Sequence, residues 1–551
     1  MMKINPLTCI DFYKADHRSQ YPEATEMVYS NFTPRSDKLF TALPDYWDGK
    51  VVQFGLQGFI KWFLIDTFNE EFFNKPKEEV VKVYKRRMDN SLGPGAITVE
   101  HIEELHDLGY LPIVIKALPE GERVDIKVPT FTVRNSQKGF AWVCFWITNY
   151  LESVFSSECW QPTTVATIAY EYRKILTKYA EETGAPLDFV SLQAHDFSFR
   201  GMGGVANASA CGAGHLTSFI GTDTVPAIDY VENYYNADSD KEIVGVSVPA
   251  TEHSVMCMGT KDGEIETFRR LINEVYPSGI VSIVSDTWDF WKVITEYLPE
   301  LKEDILSRDR NSLGLSKVVI RPDSGDPVKI LCGYQVGKYC PDFEFQQYDL
   351  ELFRNSGCNA VFVNGKYYQA KVYQSGVWLK MGLEDEISLT EVKGAVECLW
   401  ETFGGTTTEK GYKVLDEHIG LIYGDSITLQ RADEILKRLK DKGFASCNVV
   451  FGVGSFSYSY LTRDSLGYAM KATYGIVNGE GREIFKDPVT DSGTKKSARG
   501  LLRVEKEGDN YVLYDQQTPE QEEQGSLQVV FEDGKLYNET SLSEIRSRLG
   551  W

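Results

Sequence analysis

The sequence predicts an α/β fold with a β/α-barrel-like central domain plus an α+β domain built from both chain ends. In the middle of the chain, short apolar runs each end in a polar or Gly-rich turn that leads towards a helix. Near both ends, apolar and polar residues alternate instead, which is typical of antiparallel strands with one exposed face. A chain of 551 residues is also too long for one ordinary core, so more than one domain is expected.

The central apolar runs predict parallel strands that are buried on both faces, with helices between them. These runs lie at 281–285, 317–320, 419–423 and 447–451. Asp, Arg, Gly and Ser follow the ends of the runs, which is where a β/α barrel places its active residues. Ordinary turn chemistry explains any one of these turns alone. Four turns in series favour the barrel.

The terminal zones carry the signals of hairpins and of a capped helix. Residues 123–128 alternate, and two alternating segments flank Glu507-Gly508-Asp509, which predicts a hairpin. Asp533-Gly534 predicts a second tight turn. Ser541 and Glu544 have the spacing of a capping box before a terminal amphipathic helix. The two ends are therefore expected to form one domain together.

The predicted division of the chain follows from these patterns. Between about 327 and 418 the strand–helix rhythm stops, although the stretch is too hydrophobic for a disordered linker. We therefore expect an insertion there. The predicted units are an α+β domain at 1–185 and 472–551, and a β/α barrel-like domain at 186–471 with the insertion at about 327–418.

Charge and cysteine content limit the possible partners and the compartment. The formal charge is 58 − 80 = −22, which disfavours binding to nucleic acid and to anionic membranes. A local cluster of Arg and Lys is still compatible with an anionic small-molecule substrate. The ten cysteines form no C-x-x-C pair, and no apolar run is long enough for a signal peptide or a membrane span. The sequence predicts a cytoplasmic protein.

Several residues after the predicted strands are candidates for chemistry. The segment 195–201 places aromatic rings beside an Arg, which suits stacking and anion binding, although core aromatics explain it better when it is taken alone. Glu252-His253 is either a base with its orienting carboxylate or a polar loop. Three carboxylates at strand ends suit Mg²⁺ and sugar hydroxyls, or are solvated turn residues; they are Asp289, Asp323 and Asp425.

Two glycine turns, at Gly424 and at 452–455, free backbone N–H groups for a phosphate. Their late position in the barrel order is where barrels commonly bind one. The turns lack the Lys-Ser/Thr of a P-loop, and no G-x-G-x-x-G follows a strand. A nucleotide kinase and a dinucleotide oxidoreductase are therefore disfavoured.

An ordered set of strings resembles the nicotinamide phosphoribosyltransferases, within the type II phosphoribosyltransferases. The strings are HDFSFRG at 195–201, GTDTV at 221–225, VPATEHS at 248–254, VSDTWD at 284–289, IRPDSG at 320–325, LTRD at 461–464 and FKDP at 485–488. DFYK at 11–14, QYP at 20–22, VYS at 28–30 and Arg35 also match. The resemblance covers almost the whole chain except roughly 327–418, and the ordered set is highly specific.

The resemblance implies transfer of phosphoribosyl from phosphoribosyl pyrophosphate to nicotinamide, which yields nicotinamide mononucleotide and pyrophosphate in NAD salvage. It implies Mg²⁺ as cofactor, ATP as co-substrate and a homodimer with shared active sites. The implied nicotinamide-binding residues are Tyr13 (from the partner subunit), Phe197, Asp223, Ser285 and Arg321. The implied residues for phosphoribosyl pyrophosphate or product are Arg35, Arg200, Gly424, Asp425, Gly454, Ser455, Arg463, Lys471 and Lys486, with Arg35 and Lys486 across the dimer interface.

The implied catalytic residues are His253, Asp323 and Asp289, and the last two are also the implied Mg²⁺ ligands. By similarity, ATP phosphorylates His253, whose tautomer Glu252 or Asp289 fixes. The alternative substrate is nicotinate, which a related phosphoribosyltransferase uses. The sequence departs from the family pattern at 452–456, where a longer glycine run is usual, and at Phe199, where a Tyr is usual.

Overall fold

The structure is a computed structural model that describes residues 4–41, 43, 47–340, 347–375, 378–485 and 498–551. Its strands, in chain order, are β1 Thr25–Thr33, β2 Lys50–Val52, β3 Ile113–Ala117, β4 Arg123–Asp125, β5 Phe131–Asn135, β6 Ala194–Asp196, β7 Gly221–Thr222, β8 Val281–Val284, β9 Val318–Arg321, β10 Val336–Gly337, β11 Ala360–Val363, β12 Lys366–Ser375, β13 Trp378–Ile387, β14 Gly405–Thr407, β15 Lys413–Leu415, β16 Ile419–Tyr423, β17 Val449–Val453, β18 Ala469–Val477, β19 Glu480–Glu483, β20 Leu501–Glu507, β21 Asn510–Gln517, β22 Gln528–Glu532 and β23 Lys535–Leu536.

The α-helices of five residues or more are α1 Lys77–Leu92, α2 Glu100–Leu108, α3 Glu152–Thr183, α4 Val205–Leu216, α5 Val225–Tyr234, α6 His253–Met258, α7 Glu264–Arg270, α8 Lys302–Leu306, α9 Pro327–Cys332, α10 Gln347–Asn355, α11 Leu389–Lys393, α12 Ala395–Phe403, α13 Leu429–Asp441 and α14 Leu542–Arg548. Shorter helical turns are named by their residues below. Within the described ranges, no helix is long and apolar enough to cross a bilayer.

A parallel sheet forms the centre of the molecule, in the order β7-β6-β17-β16-β9-β8. The segment 246–251 lies between the two edge strands of this sheet. On one side, the Thr222 N–H donates to the Val246 carbonyl oxygen over 2.9 Å. On the other side, the Thr251 N–H donates to the Ser282 carbonyl oxygen over 2.9 Å. The segment therefore closes the sheet into a barrel, and the predicted fold class is confirmed.

An antiparallel sheet draws its strands from both ends of the chain, in the order β19-β18-β1-β5-β3-β22-β23. The predicted hairpin is β20–β21, and the predicted turn at Asp533-Gly534 joins β22 to β23. The capping box of Ser541 and Glu544 is also present before α14. The predicted strand at 123–128 is shorter, because β4 ends at Asp125 and Lys127 has a positive φ of 72°. The domain limits at 185 and 472 stay a prediction.

The long helix α3 packs against both halves of the molecule. It contacts β2 and β18 on one side, and the barrel helices α4 and α13 on another. It is 32 residues long and contains Pro162. Gly55 lies against this proline: a Cβ at Gly55 would be 2.8 Å from Pro162 Cβ. The helix thus makes the barrel and the antiparallel sheet share one hydrophobic core.

Within the expected insertion, β10–β13 form a sheet that has its own small core. The chain enters and leaves this subdomain at two glycines in contact. A Cβ at Gly333 would be 2.1 Å from the Val392 carbonyl oxygen, and a Cβ at Gly394 would be 2.3 Å from the Gly333 nitrogen. Glycine is therefore required at both positions, where the entering and leaving segments of the chain touch. The core residues of the subdomain are Cys340, Leu350, Phe353, Val361, Ala370, Leu379 and Met381.

A buried ion pair joins β3 to the C-terminal part of the chain. Lys116 Nζ lies 2.8 Å from Glu522 Oε2, and each side chain is 6 % exposed. Replacing Lys116 with Met leaves the Glu522 carboxylate buried without its cation, so we expect the free energy of unfolding to fall by about 3–5 kcal/mol. Urea denaturation followed by tryptophan fluorescence measures this change. The double variant that also carries Glu522→Leu should recover most of the loss, and a single variant as stable as wild type would contradict the prediction.

Candidate active site

The carboxyl ends of the barrel strands bring most of the predicted residues to one mouth, since parallel strands all end at the same edge. Each of these residues lies at a strand's last position or within two residues after a strand or the closing segment 246–251. They are Phe197 after β6, Asp223 after β7, His253 after the closing segment, Ser285 after β8, Arg321 and Asp323 at the end of β9, Gly424 and Asp425 after β16, and Gly454 and Ser455 after β17.

Asp286 holds His253 and the loop after β9 at the same time. Its Oδ1 lies 3.1 Å from His253 Nε2, and its Oδ2 accepts from the Asp323 backbone N–H over 2.9 Å. Asp286 is 5 % exposed, whereas the His253 ring is 49 % exposed. Because a carboxylate only accepts hydrogen bonds, the proton of the neutral His253 ring is on Nε2, and Nδ1 of that form carries the lone pair.

The carboxylate that orients His253 is thus Asp286, in place of Glu252 or Asp289. The Glu252 carboxylate instead accepts from the Ser254 hydroxyl. The exposed Asp289 caps the turn Phe290–Lys292, where its Oδ1 accepts from the Lys292 N–H over 3.0 Å. Asp286 lies inside the string 284–289, but the sequence alone did not single it out among the carboxylates of that loop.

Asp323 lies in a concentration of negative charge at the mouth. Burial raises the pKa of Asp323, and the neighbouring carboxylates of Asp286 and Asp425 raise it further, against the opposing charges of Arg321 and His253. The charges of Asp286, Asp425, Arg321 and His253 therefore all act on the Asp323 carboxyl. Such a site favours positive charge that develops on a bound molecule.

The ring of Phe197 lies over two glycines and forms a flat wall of the mouth. A Cβ at Gly452 would be 2.3 Å from the ring, and a Cβ at Gly424 would be 2.9 Å from it and 3.0 Å from Asp323 Oδ1. Both positions therefore admit only glycine while the ring keeps its place. The ring is half-buried and leaves a face for stacking with a planar ligand.

Asp223 is held as an ionised acceptor. His195 Nε2 lies 3.0 Å from Asp223 Oδ1, and the Ser247 hydroxyl donates to the same oxygen over 2.6 Å. Partial burial raises the pKa of Asp223, but these two hydrogen bonds and the charges of His195 and Arg321 outweigh burial, so the pKa lies below its ordinary value. The side chain is 45 % exposed. The ring of His195, which binds it, lies 5.2 Å from the Phe197 ring.

Arg321 and Ser285 have structural partners of their own. Arg321 Nη2 donates to the Thr251 carbonyl oxygen over 2.7 Å, which ties the end of β9 to the closing segment. Ser285 is fully buried, and its hydroxyl donates to the Ile283 carbonyl oxygen over 2.7 Å. A ligand would therefore meet the Arg321 guanidinium before it meets Ser285.

The turn after β17 packs against the loop that carries Arg200. A Cβ at Gly201 would be 2.0 Å from Ser455 Oγ, so the exposed Arg200 lies directly beside this turn. A Cβ at Gly454 would meet no atom within 4 Å. The turn thus leaves open space next to a cation, which suits an anionic group.

A second group of predicted residues belongs to the antiparallel half. Arg35 Nε donates to the Gly467 carbonyl oxygen over 2.8 Å, and both burial and the charge of Arg463 lower the pKa of Arg35. Lys471 pairs with Asn31 in the ladder between β1 and β18. Tyr13 is 61 % exposed. Lys486 lies outside the described residues.

In the part of the chain that the structure describes, no hydrogen bond, ion pair or ring contact joins Tyr13, Arg35 or Arg463 to the residues of the mouth. Their contacts are with neighbours such as Gly467, Asp464 and His17. Within one copy of the chain, the residues of the mouth and the predicted residues of the antiparallel half therefore form two separate groups.

A closed parallel barrel with stacking, acidic and basic groups at the carboxyl ends of its strands is the architecture of an enzyme that acts on a small molecule. Residues 192–535 match the model of the nicotinate phosphoribosyltransferase (NAPRTase) family. The chain belongs to this family.

Known relatives extend the match along nearly the whole chain. A nicotinamide phosphoribosyltransferase of Acinetobacter baylyi is 58 % identical over 547 residues, which cover 99 % of this chain and 97 % of that protein. A nicotinamide phosphoribosyltransferase of Mycoplasma pneumoniae is 29 % identical, with 90 % and 94 % covered. Among solved structures, a nicotinate-nucleotide pyrophosphorylase from Pyrococcus furiosus is similar with a TM-score of 0.49 and 13 % identity, over 99 % of this chain and 95 % of that one.

Proposed function

We propose that the enzyme transfers phosphoribosyl from phosphoribosyl pyrophosphate to nicotinamide. The bond between the ribose C1 and the pyrophosphate oxygen breaks, the pyridine nitrogen bonds to C1, and nicotinamide mononucleotide and pyrophosphate leave. Family membership and the names of the relatives at 58 % and 29 % identity support this reaction class and this base.

The observation that carries the choice of base is Asp223. Its carboxylate is hydrogen-bonded to His195, whose ring lies 5.2 Å from the Phe197 ring. Its pKa is below the ordinary value, so it is ionised at neutral pH. A carboxylate accepts a hydrogen bond from an amide N–H₂ and repels the carboxylate of nicotinate. Phe197 offers the stacking face, and Arg321 lies nearby as a donor. Tyr13 covers the other face of the base in this proposal.

The residues of the mouth assist the transfer by charge. Positive charge develops at the ribose C1 as the bond to pyrophosphate breaks, and the carboxylate of Asp323, supported by Asp286 and Asp425, stabilises it. Arg200, Arg463 and Arg35 supply positive charge for the departing pyrophosphate. Gly424, Gly454 and Ser455 line the space for the ribose and its 5′-phosphate.

Mg²⁺ fits this site as an ion that arrives with the substrate. Among the described residues, no group of three or more His, Cys, Asp and Glu side chains is placed to hold a metal. Mg²⁺ commonly binds through one or two carboxylates together with substrate phosphates and water. Asp323 at the mouth provides one carboxylate, and Asp289 is the second predicted ligand. The ion would offset the negative charge of the pyrophosphate.

ATP enters the proposal through His253. The exposed ring presents Nδ1, which attacks the γ-phosphorus of ATP; the bond to the bridging oxygen breaks and ADP leaves.

The thiol of Cys257, on the same helix as His253, is exposed. A reducing location such as the cytoplasm, where such a thiol stays free, is therefore part of the proposal.

A homodimer completes the active site in this proposal. Tyr13, Arg35 and Arg463 make no hydrogen bond, ion pair or ring contact with the described mouth residues within one chain, so a second copy is the natural source of these groups. Arg35 and Arg463 lie close enough for their charges to interact. Such a pair of like charges binds a pyrophosphate or phosphate readily.

The decisive experiment measures kcat/KM for nicotinamide and for nicotinate, with and without ATP, on wild type and His253→Ala. We expect nicotinamide to be preferred, ATP to stimulate the wild type, and His253→Ala to retain base transfer without stimulation. A preference for nicotinate would replace the proposed substrate by the alternative one. Complete loss of base transfer in His253→Ala would show that the residue acts directly on the reaction or is structural.

Gly452→Ala tests the stacking wall. The added methyl would lie 2.3 Å from the Phe197 ring and must displace it. We expect the KM for nicotinamide to rise by about tenfold or more, because stacking and orientation of the base are lost. Gly203→Ala is the matched control: a methyl there would lie 3.6 Å from Asn207 Oδ1, an ordinary contact, so the KM for nicotinamide should stay near that of wild type. Equal effects of the two variants would argue against the wall.

A further inference from the structure

Both hydrogen bonds to the Asp223 side chain end on the same oxygen. His195 Nε2 lies 3.0 Å and Ser247 Oγ lies 2.6 Å from Oδ1. In the described part of the chain, no hydrogen bond reaches Oδ2. The carboxylate is thus occupied on one oxygen and open on the other, while 45 % of the side chain remains exposed.

Two neighbouring strands and the closing segment build this arrangement. His195 is on β6, Asp223 directly follows β7, and Ser247 is on the closing segment, so the acceptor lies between its two donors. The Asp223 backbone N–H also donates to the Asp196 carbonyl oxygen over 3.0 Å, which fixes the start of the side chain. Gly221 makes room for the histidine, since a Cβ there would be 2.8 Å from His195 Nδ1.

The same histidine also touches the stacking wall. The rings of His195 and Phe197 are 5.2 Å apart at 60°. His195 therefore sets the position of the acceptor oxygen relative to the plane in which an aromatic base stacks. The Asp223 carboxylate cannot rotate towards a different ligand without breaking both donors' bonds.

We propose that His195 and Ser247 are positioning residues that set the preference for an amide over a carboxylate base, because they occupy Oδ1 of Asp223 and aim Oδ2 at the base. This inference rests on the proposed function. An incoming amide N–H₂ donates to Oδ2. The carboxylate of nicotinate also only accepts hydrogen bonds, so it would place an acceptor against Oδ2 of Asp223, which has no proton to donate. Without the two donors, Asp223 is free to turn away, and it is more easily protonated into a donor that suits a carboxylate.

The test compares variants that lose a donor with variants that keep one. Ser247→Ala and His195→Leu each remove one hydrogen bond, whereas Ser247→Thr keeps a hydroxyl and His195→Gln keeps an N–H near the position of Nε2. For each variant, kcat/KM is measured for nicotinamide and nicotinate, together with KM for phosphoribosyl pyrophosphate. We expect the nicotinamide-to-nicotinate ratio to fall about tenfold for each donor lost. The conservative variants should keep the wild-type ratio, and KM for phosphoribosyl pyrophosphate should not change.

A pH profile adds a readout that a merely structural defect does not move. The two hydrogen bonds help to hold the pKa of Asp223 below its ordinary value. The loss of either bond should therefore shift the acid limb of nicotinamide preference to higher pH. Ser247 is exposed, so Ser247→Ala keeps the test valid even if His195→Leu fails to fold.

The two proposals fail in different ways. A wild-type enzyme that prefers nicotinate overturns the proposed function. A wild type that prefers nicotinamide, with Ser247→Ala showing the same ratio and the same pH profile as wild type, overturns only the role of the two donors. Equal loss of turnover with both bases would also overturn it.

Discussion

Replacing Asp223 with Asn is expected to lower the ratio of kcat/KM for nicotinamide to that for nicotinate by about a hundredfold. The change removes the negative charge that repels nicotinate. It also replaces an acceptor-only group by an amide, whose N–H₂ can donate to the nicotinate carboxylate. Both effects act in the same direction, so discrimination should fall further than with either loss alone. Steady-state kinetics with the two bases at saturating phosphoribosyl pyrophosphate measure the ratio.

Asp240→Asn is a matched control for the charge change. Asp240 is exposed in the loop before the closing segment, so its replacement should leave the ratio at the wild-type value. An unchanged ratio in Asp223→Asn would mean that another residue selects the base. A fall in turnover with nicotinamide alone, without any gain for nicotinate, would limit Asp223 to binding the amide.

The second large effect is expected for Asp286→Asn. Asp286 accepts from His253 at one oxygen and from the Asp323 backbone N–H at the other. An Asn side chain has one acceptor and one donor, so in either orientation its N–H₂ faces a group that donates to Asp286 in the wild type. We therefore expect ATP stimulation to fall by about a hundredfold, to the level of His253→Ala, because His253 loses its tautomer or its support. Transfer of labelled γ-phosphate to the protein provides the direct measurement.

Glu252→Gln separates this prediction from a general effect of charge near His253. The Glu252 carboxylate contacts Ser254 instead of the ring, so Glu252→Gln should keep most of the ATP stimulation. If Glu252→Gln abolishes labelling while Asp286→Asn retains it, the assignment of the orienting carboxylate is reversed.

The barrel was predictable only in part from the sequence. The apolar runs before Asp286, Arg321, Gly424 and Gly452 do form β8, β9, β16 and β17. The strands β6 and β7 are three and two residues long, which is too short for any periodic signal. The closing segment 246–251 makes only isolated bridges to its neighbours. Its pairing depends on tertiary closure, which local sequence patterns do not encode.

The mouth was predicted better than its internal contacts. Residues that follow strands could be placed there from sequence order, because the carboxyl ends of parallel strands converge. Which carboxylate turns towards His253 was not predictable, since Asp286 and Asp289 lie in one loop, and tertiary packing decides which of them is buried and which is exposed. The donor role of Ser247 was missed for the same reason: nothing local distinguishes it from a solvent-exposed serine.

The contact between Gly333 and Gly394 bears on how far the length of the insertion can change. The ends of the subdomain are joined by backbone contact, with the Tyr334 N–H donating to the Val392 carbonyl oxygen over 3.0 Å. A short linker could therefore span the same two points, and the entropy of closing a loop grows only slowly with its length. We therefore expect the barrel to tolerate a short turn or a foreign module at this junction in place of the long excursion, so that size can change there while the order of the strands is preserved.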